Sequence, residues 1–345
     1  MIKFPIEKTG ALLITDRKTR KYFTGVDVAE GYVIKSSCAT VCFADARYYY
    51  GVKDKLESAG VKAILFNGLE TIKEYLKKER VKRIYLDYTK ETVTDYTAYK
   101  KLGFKLLDGS TQIKNLRSIK TSSEIERIKR ACVIAEKAYH TAIKEVKKGI
   151  TENALKTRIE ELMKEFGAEG TSFETIVAFG KNSAIPHYET GDTVLLDNTV
   201  ILVDMGCTVD GYCSDLTRTA YFGNPDEEFR KCYQAVLKAN VLAEEQIGSG
   251  MNGKQADAIA RSSLKGDGLD EYFTHSLGHG IGLDVHEYPT LSPKREDVLM
   301  DEMVFSIEPG VYLNEKFGIR IEDTVILENG KVKRLFTDDK NLIIL

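Results

Sequence analysis

The segment ILVDMGCTVDGYCSDLTRT, residues 201–219, contains two strand-like runs separated by Asp210-Gly211. An Asp-Gly pair between strand residues is typical of a two-residue hairpin turn, because such turns need positive φ at both positions. The sequence therefore predicts an antiparallel hairpin. Each of its strands carries an acidic residue, Asp204 on the first and Asp215 on the second.

The register of this hairpin brings the two acids together. A turn at residues 210 and 211 pairs Asp204 with Thr217 and Asp215 with Gly206. Because side chains alternate along a strand, Asp204 and Asp215 then lie on one face as diagonal neighbours, within reach of a common ion. A carboxylate that ends an apolar run is costly to bury unless it is paired or coordinated. Taken alone, the pair fits ordinary loop or edge residues equally well.

A second cluster holds three of the five His residues of the chain, in the segment HSLGHGIGLDVH, residues 275–286. The glycines of this segment disfavour a helix, so it is not the helical two-histidine zinc motif. A single His is more often structural. His275, His279 and His286 lie so close together that we interpret them as functional.

Two further carboxylates lie in strand patterns. Glu308 ends the apolar run that begins at Met303, immediately before a Pro-Gly pair. Residues 318–325 alternate between apolar and polar, so Arg320 and Glu322 share one face. Without the other clusters, the latter two would be interpreted as a surface pair beside a core strand.

The remaining two His residues lie apart from these clusters. His187 follows Pro186 in a loop and has no local signature. His140 lies in a predicted long helix, where a structural role is the simpler interpretation. The candidate metal ligands are therefore mainly oxygen atoms.

Four carboxylates and one imidazole form a set that suits hard or borderline divalent ions, among which Mn²⁺, Co²⁺ and Zn²⁺ all fit. One catalytic zinc ion needs only three protein ligands, so five are a surplus. Two metal ions with bridging carboxylates account for that surplus. Such a pair would activate a water between the ions, as is typical of hydrolases.

The chain divides into two parts that differ in their pattern of predicted strands and helices. Through about residue 115, β-branched apolar runs alternate with helical patterns, which predicts an α/β domain. The expected strands are 11–14, 32–34, 39–44, 63–66, 83–86 and 104–107, and the expected helices are 46–59, 69–80 and 92–102. From the capping box Thr121-Ser-Ser-Glu124 onward, two successive helix–helix–strand units predict a pseudo-symmetric domain. We predict domains at residues 1–118 and 119–345, and an α+β fold overall.

The residues at positions 204, 215, 279, 308 and 322 resemble, in order, the ligand series of the dinuclear metallopeptidases with the "pita-bread" fold, in which helices cover a curved antiparallel sheet. The motifs that carry the resemblance read VDMGCTVDGYCSDLTRT, HSLGHGIGLDVHE, SIEPGVY and GIRIEDTV, and it covers residues 121–345. The preceding segment is similar to the creatinase-like N-terminal α/β domain of that family. The implied metal ligands are Asp204, Asp215, His279, Glu308 and Glu322.

Within the family, the N-terminal domain and the segment Asn182–His187 resemble the proline-specific members, Xaa-Pro aminopeptidase (aminopeptidase P) and Xaa-Pro dipeptidase (prolidase). The resemblance implies a metallo-exopeptidase for peptides with Pro at the second position, with two divalent metal ions, in the first instance Mn²⁺. The metal motifs are common to both activities. We take the aminopeptidase as the main interpretation and the dipeptidase as the alternative.

The resemblance also implies roles for individual residues. Glu308 would be the general base and proton shuttle. His187 and His286 would contact the substrate and stabilise the developing oxyanion. Arg320, also counted among the catalytic residues, would hold a ligating carboxylate in place. The residues expected to bind substrate are His187, His275, His286 and Tyr312.

Composition argues against several other classes of function. The chain has 50 Lys+Arg against 52 Asp+Glu, a balance unlike that of proteins that neutralise nucleic-acid phosphates. The sequence contains neither a signal peptide nor a run of 18 apolar residues, so we expect no membrane association. Six scattered Cys do not form a disulfide scaffold, which indicates the reducing cytoplasm.

Two expectations concern partners. An N-terminal domain without chemistry of its own favours a homodimer, as in the relatives that the resemblance names. A catalytically inactive peptide-binding module of the same fold is a remote alternative, and it is disfavoured because none of the five ligand positions is lost.

Overall fold

The computed structural model describes residues 6–345, and the chain divides into two compact units between Arg117 and Ser118. Among the described residues, none of the helices is both long and apolar enough to cross a membrane.

The first unit contains a six-stranded sheet, as the alternating pattern predicts. Its strands are β1 (Gly10–Ile14), β2 (Tyr32–Lys35), β3 (Thr40–Ala44), β4 (Lys62–Leu65), β5 (Arg83–Leu86) and β6 (Lys105–Asp108). The order across the sheet is β4-β3-β2-β1-β5-β6. The central strand β2 is antiparallel to both neighbours, and the other pairs are parallel.

The helices of this part are α1 (Arg17–Thr24), α2 (Ala46–Ser58), α3 (Leu69–Lys78), α4 (Val93–Lys100) and α5 (Ser110–Ser118). Helices α2, α3 and α4 agree with the prediction, whereas α1 and α5 were not predicted. Helix α1 has no apolar stripe to predict it, because its buried residues are Thr19, Arg20 and Thr24. Its signature is the cap: the Asp16 carboxylate accepts a hydrogen bond from the backbone N–H of Thr19 at 2.8 Å.

The second unit contains two helix pairs, each followed in sequence by strands, as the repeated element order predicts. The helices are α6 (Ser122–Glu145), α7 (Glu152–Glu165), α8 (Glu227–Gln246) and α9 (Gly253–Gly266). The strands between the pairs are β7 (Gly170–Thr171), β8 (Ile176–Phe179), β9 (Thr199–Met205), β10 (Cys207–Val209), β11 (Tyr212–Cys213) and β12 (Leu216–Phe222). The strands after α9 are β13 (Gly278–Gly280), β14 (Glu287–Leu291), β15 (Val304–Ile307), β16 (Gly310–Leu313), β17 (Phe317–Arg320), β18 (Asp323–Glu328), β19 (Lys331–Arg334) and β20 (Ile343–Ile344).

Hydrogen bonding divides these strands into two larger sheets, β20-β12-β9-β8 and β14-β13-β15-β18-β19, and two smaller ones, β11-β10-β7 and β16-β17. The predicted α+β class, with helices packed on mainly antiparallel sheets, is confirmed. Helix α8 packs against the strands through the fully or nearly fully buried residues Ala235, Val236, Ala239 and Ala243. Its small side chains let the helix approach the sheet closely.

The predicted hairpin is present with the predicted register. Asp210 and Gly211 have φ of +51° and +83°, as a two-residue turn of this kind requires. Asp204 in β9 pairs with Thr217 in β12. The chain also needs glycine at Gly206, because a Cβ there would lie 2.1 Å from the carbonyl oxygen of Ser214.

Candidate metal centre

Three side chains from separate parts of the second unit converge on one point. Asp215 lies between β11 and β12, His279 lies in β13, and Glu322 lies between β17 and β18. Each offers one ligand atom, and these atoms all lie within 4.8 Å of one another. The hairpin, the glycine-rich His segment and the alternating strand of the sequence analysis thus supply one residue each.

Asp204 is held beside this cluster by a buried arginine. Its Oδ2 accepts a hydrogen bond from Nη2 of Arg320 at 2.6 Å. The same guanidinium donates to Oγ1 of Thr217 at 3.0 Å and to Oη of Tyr312 at 2.7 Å. Because Arg320 is only 3% exposed, these three contacts fix its orientation without help from solvent.

Glu308 lies just after β15, at the edge of the same cluster. Its Oε1 is 3.3 Å from Nε2 of His279 and accepts a hydrogen bond from Oγ of Ser306 at 3.1 Å. The backbone of Glu308 is fixed as well, because its N–H donates to the carbonyl of Leu277 at 2.8 Å.

A buried amide ties together the two strand ends that carry the glutamates. Nδ2 of Asn240, in α8, donates to the carbonyl oxygens of Ile307 at 3.0 Å and of Ile321 at 3.2 Å. These residues immediately precede Glu308 and Glu322. The distance between the two carboxylates is therefore set partly by one side chain of a packed helix.

The hydrogen bonding of His279 selects its tautomer. Nδ1 lies 3.2 Å from the carbonyl oxygen of Gly280. A carbonyl only accepts, so Nδ1 carries the proton and donates. In the neutral ring, Nε2 then presents a lone pair toward Asp215, at 3.6 Å, and Glu308. This is the form in which an imidazole binds a metal.

The electrostatics of the carboxylates are strongly perturbed. Burial raises the pKa of Asp204, Asp215 and Glu322, and repulsion from neighbouring carboxylates raises each further. Glu308 behaves differently: burial would raise its pKa, but when His279 is protonated and donates from Nε2, its hydrogen bond and charge lower the pKa of Glu308 to about 2. In turn, burial opposes protonation of His279, and Glu308 overcomes this and raises its pKa.

These residues fit a divalent cation. Oδ1 of Asp204 and Oε1 of Glu322 are buried and have no hydrogen-bond partner among the described residues. Such atoms are rare in folded proteins, because an unsatisfied buried acceptor is costly. A cation would satisfy both oxygens and remove the repulsion among the acids. Four carboxylates with one imidazole are also the donor set that divalent ions of this class accept. The individual ligand roles stay predictions.

His275 and Tyr312 extend the hydrogen-bond chain that begins at Asp204. Nδ1 of His275 donates to the carbonyl of Ser276 at 2.8 Å, so its Nε2 accepts from Oη of Tyr312, also at 2.8 Å. Tyr312 in turn accepts from Arg320. Burial raises the pKa of Tyr312 to about 12, so this phenol keeps its proton. The contacts of both residues support Arg320, and their predicted substrate contacts stay predictions.

His286 contacts the ring of His279, and His187 lies in the loop between β8 and β9. The rings of His286 and His279 are 4.0 Å apart between centroids. Burial lowers the pKa of His286, and the charges of His279 and His187 lower it further. Burial also lowers the pKa of His275, to which His187 again contributes. His187 itself is exposed in the loop after β8, which suits contact with a substrate.

His140 is separate from this centre, as predicted. Its Nε2 is 3.6 Å from Oδ2 of Asp338. That carboxylate belongs to a different buried group of charges, in which it accepts from Arg218 at 2.7 Å.

Three contributors to the site were not predicted in these roles. Thr217 donates from Oγ1 to Oε2 of Glu322 at 2.6 Å, Ser306 donates to Glu308, and Asn240 joins two strand ends. For Thr217 the sequence carried a usable signature, because the hairpin register pairs it with Asp204. For Ser306 the alternation along the strand would have been enough to predict the contact, because residues 306 and 308 lie on the same face. Nothing local distinguishes Asn240 from other polar residues of a helix.

Comparison with known proteins gives two family matches. The model of metallopeptidase family M24 matches residues 126–329. The model of the creatinase/prolidase N-terminal domain matches residues 7–119. The chain is 37% identical over 324 residues to an Xaa-Pro dipeptidase of Pyrococcus furiosus, covering 93% of this chain and 92% of that protein.

Solved structures agree over nearly the whole chain. An Xaa-Pro dipeptidase from Bacillus anthracis has a TM-score of 0.92 at 31% identity, covering 97% of this chain and 95% of that one. An X-Pro aminopeptidase from Thermotoga maritima has a TM-score of 0.90 at 32% identity, covering 98% of both chains.

Proposed function

This chain belongs to metallopeptidase family M24 and is a metallo-exopeptidase with the pita-bread fold, and on that basis we propose that it is an Xaa-Pro dipeptidase (prolidase). The observation that carries the proposal is its 37% identity to the Xaa-Pro dipeptidase of Pyrococcus furiosus, over more than nine-tenths of both chains. The metal motifs alone leave the two proline-specific activities open. The relatives favour the dipeptidase, so the order of the two alternatives is reversed from that expected from the sequence.

Two divalent metal ions would be held by Asp204, Asp215, His279, Glu308 and Glu322. Lewis acidity at the scissile carbonyl and a lowered pKa of the attacking water are the chemistry that such ions supply when bound. We propose Mn²⁺ as the native ion, with Co²⁺ and Zn²⁺ as alternatives, because an oxygen-rich set with one nitrogen accepts all three.

Glu308 would move the proton. A glutamate carboxylate is ionised at neutral pH, so it can accept a proton from the attacking water. The same carboxyl then delivers this proton to the Pro nitrogen as the Xaa–Pro bond breaks.

His187 and His286 would bind the substrate and donate to the developing oxyanion. His286 is positioned by its ring contact with His279, and His187 approaches from the loop. Arg320 is a positioning residue in this proposal, because all three of its main contacts are with protein side chains, including Asp204. His275 and Tyr312 would line the pocket.

Xaa-Pro aminopeptidase activity is the second candidate, supported by the TM-score of 0.90 to the Thermotoga maritima X-Pro aminopeptidase. The two activities differ in whether the substrate may continue beyond Pro. Purified Mn²⁺-loaded protein should therefore be incubated with Gly-Pro and, separately, with Gly-Pro-Ala. Cleavage of the dipeptide alone supports the dipeptidase, whereas cleavage of the tripeptide supports the aminopeptidase. Metal-loaded protein that cleaves neither refutes the proposed substrate class.

The role of Glu308 is tested by Glu308→Gln, which keeps the shape of the side chain but cannot accept the proton. General acid–base catalysis typically contributes about 10²–10⁴-fold, so kcat should fall by at least about 100-fold. The matched control is Glu124→Gln, a buried glutamate that caps α6 and contacts Tyr212 instead. Full activity of Glu308→Gln would refute the mechanism.

Further parts of the proposal concern organisation and location. We propose residues 1–118 as the creatinase-like N-terminal domain and residues 119–345 as the catalytic domain. We also propose a homodimer, which light scattering would test, and a cytoplasmic location. The location is supported by six cysteines that are all free thiols, as in a reducing compartment.

A further inference from the structure

The loop between β8 and β9 carries His187, and its position depends on contacts at both ends. It begins with a 3₁₀ turn, Gly180–Ala184, and continues past Pro186 and His187 to β9. His187 is exposed, so its own side chain does little to hold the loop. An unrestrained loop of this length would have to be ordered whenever substrate binds, at a cost in conformational entropy.

A single buried carboxylate accepts hydrogen bonds from residues near both ends of this loop. Glu152, the first residue of α7, is 0% exposed. Its Oε1 accepts from the backbone N–H of Phe179 at 2.7 Å and from Nδ2 of Asn182 at 2.9 Å. Its Oε2 accepts from Oη of Tyr188 at 2.9 Å and from the backbone N–H of Gly191 at 3.3 Å. The four partners lie on both sides of His187, and all of them donate.

The start of α7 adds backbone contacts to the same segment. The N–H of Glu152 donates to the carbonyl of Thr193 at 3.1 Å, and the N–H of Asn153 donates to the carbonyl of Gly191 at 3.0 Å. These are amide groups that a helix start leaves without intrahelical partners. The end of the loop is therefore docked on the helix by its main chain as well as by the carboxylate.

A second contact fixes the beginning of the loop to the strand that carries Arg320. The N–H of Gly318, in β17, donates to Oγ of Ser183 at 2.8 Å. A Cβ at Gly318 would lie 2.0 Å from the carbonyl oxygen of Ser183, so the two backbones are in direct contact. The loop thus contacts β17 at Ser183 and, more weakly, at Pro186, whose carbonyl lies 3.5 Å from Nη1 of Arg320, and it contacts Glu152 on both sides of His187.

We propose that Glu152 is a positioning residue for His187, holding the loop in the conformation in which the imidazole meets the substrate. This inference rests on the proposed function, in which His187 binds substrate. Glu152 acts through His187 and does not touch the reacting atoms. Preorganisation of this kind lowers the ordering cost of binding, so its loss should raise KM more than it lowers kcat.

The test is a double-mutant cycle between Glu152→Gln and His187→Ala, with Gly-Pro as substrate. In Glu152→Gln, the new amide NH₂ faces donors on one side of the carboxyl group, so part of the loop is released. We expect kcat/KM to fall about tenfold, mainly through KM. In the His187→Ala background, the same substitution should change kcat/KM less than twofold, because the residue it positions is already gone. Equal losses in both backgrounds, or no loss in the wild-type background, would overturn the proposal.

Two controls separate this role from general destabilisation. Tyr188→Phe removes one of the four donors and leaves the carboxylate intact, so it should show a smaller loss with the same dependence on His187. If Glu152→Gln does not fold, the cycle is carried out with Tyr188→Phe alone. Glu124→Gln changes another buried glutamate near a helix start, and it should leave kcat/KM unchanged in either background.

Amide hydrogen exchange tests the anchor independently of activity. Glu152→Gln should speed the exchange of amides in residues 179–193 and leave those of β15 and β18 unchanged. If the wild-type protein cleaves no Xaa-Pro peptide, the proposed function fails, and this measurement still decides whether Glu152 holds the loop. Unchanged exchange in residues 179–193 would overturn the anchor itself.

Discussion

Thr217→Val should weaken metal binding, although it substitutes none of the predicted metal ligands. The Thr217 hydroxyl donates to Oε2 of Glu322 at 2.6 Å and accepts from Nε of Arg320 at 3.0 Å. It therefore connects a predicted metal ligand with the arginine that holds Asp204. Valine has a similar shape and neither donates nor accepts, so the substitution removes both hydrogen bonds and leaves the packing nearly intact.

The magnitude follows from burial. Thr217 is 0% exposed and Glu322 is 1% exposed, so water cannot replace the lost hydroxyl. A hydrogen bond to a charged group contributes about 1.5–3 kcal/mol, and partners that orient metal ligands typically contribute about 10–100-fold in metal affinity or activity. These ranges agree, since about 1.4 kcal/mol corresponds to tenfold. We expect Mn²⁺ affinity to fall by about 10–100-fold.

The assay is competition for Mn²⁺ with a chromophoric chelator, followed by kcat/KM for Gly-Pro at saturating metal. The control is Thr175→Val, at another fully buried threonine, whose Oγ1 has no hydrogen-bond partner among the described residues. It should leave metal affinity within about twofold of the wild type, since it removes no hydrogen bond. An unchanged Mn²⁺ affinity in Thr217→Val would refute the reasoning that this hydroxyl orients Glu322.

Three further predictions follow from the charges of the second unit. Removal of metal by chelator dialysis should abolish cleavage and lower Tm, and addition of Mn²⁺ should restore both. A Tm that does not change when Mn²⁺ is added would contradict binding of the ion to the folded state. Burial raises the pKa of Asp338, but the nearby His140 ring and the hydrogen bonds and charge of Arg218 hold it well below its ordinary value. Asp338→Asn should therefore lower the free energy of unfolding at pH 7, and the deficit should shrink as the pH falls below about 3.9; a deficit independent of pH would contradict this. Lys120→Met should lower the free energy of unfolding by about 3–5 kcal/mol in denaturant unfolding, because it removes the ammonium that pairs with Glu287 at 2.9 Å, where the two side chains are 1% and 9% exposed, and a loss below about 1 kcal/mol would contradict it.

The fold could be predicted where apolar periodicity is strong, and it was missed where polar residues are buried. The strands of the first unit follow β-branched runs, and all six were found. Helix α1 was missed because Arg20 is buried in place of an apolar residue. Its guanidinium donates to the backbone carbonyls of Val28 at 3.0 Å and Ala29 at 2.9 Å. Such compensation depends on a neighbouring loop, which a local pattern does not reveal.

The site was predictable to the extent that its acids interrupt apolar strands. Asp204 and Glu308 each follow buried apolar residues, which is a local feature with a physical reason. Glu152 had an ordinary explanation, since acidic residues favour the first turn of any helix. Its role depends on donors 27 to 39 residues away in sequence. Thr217 likewise contacts the predicted ligand Glu322, 105 residues away in sequence.

The packing of the core fixes the backbone positions of two predicted metal ligands. Ile307 and Ile321 are both 0% exposed, and each is followed directly by a predicted ligand glutamate. Asn240 joins their carbonyls, so a change of volume at Ile321 would move the backbone of Glu322 together with the helix contact. Core substitutions there should therefore change stability and metal affinity together. Thr217 contacts the predicted ligand Glu322 through its hydroxyl and through its backbone carbonyl, which accepts from the N–H of Glu322 at 3.1 Å. Valine removes only the hydroxyl contact, so this substitution separates the orientation of the Glu322 side chain from the packing of the core.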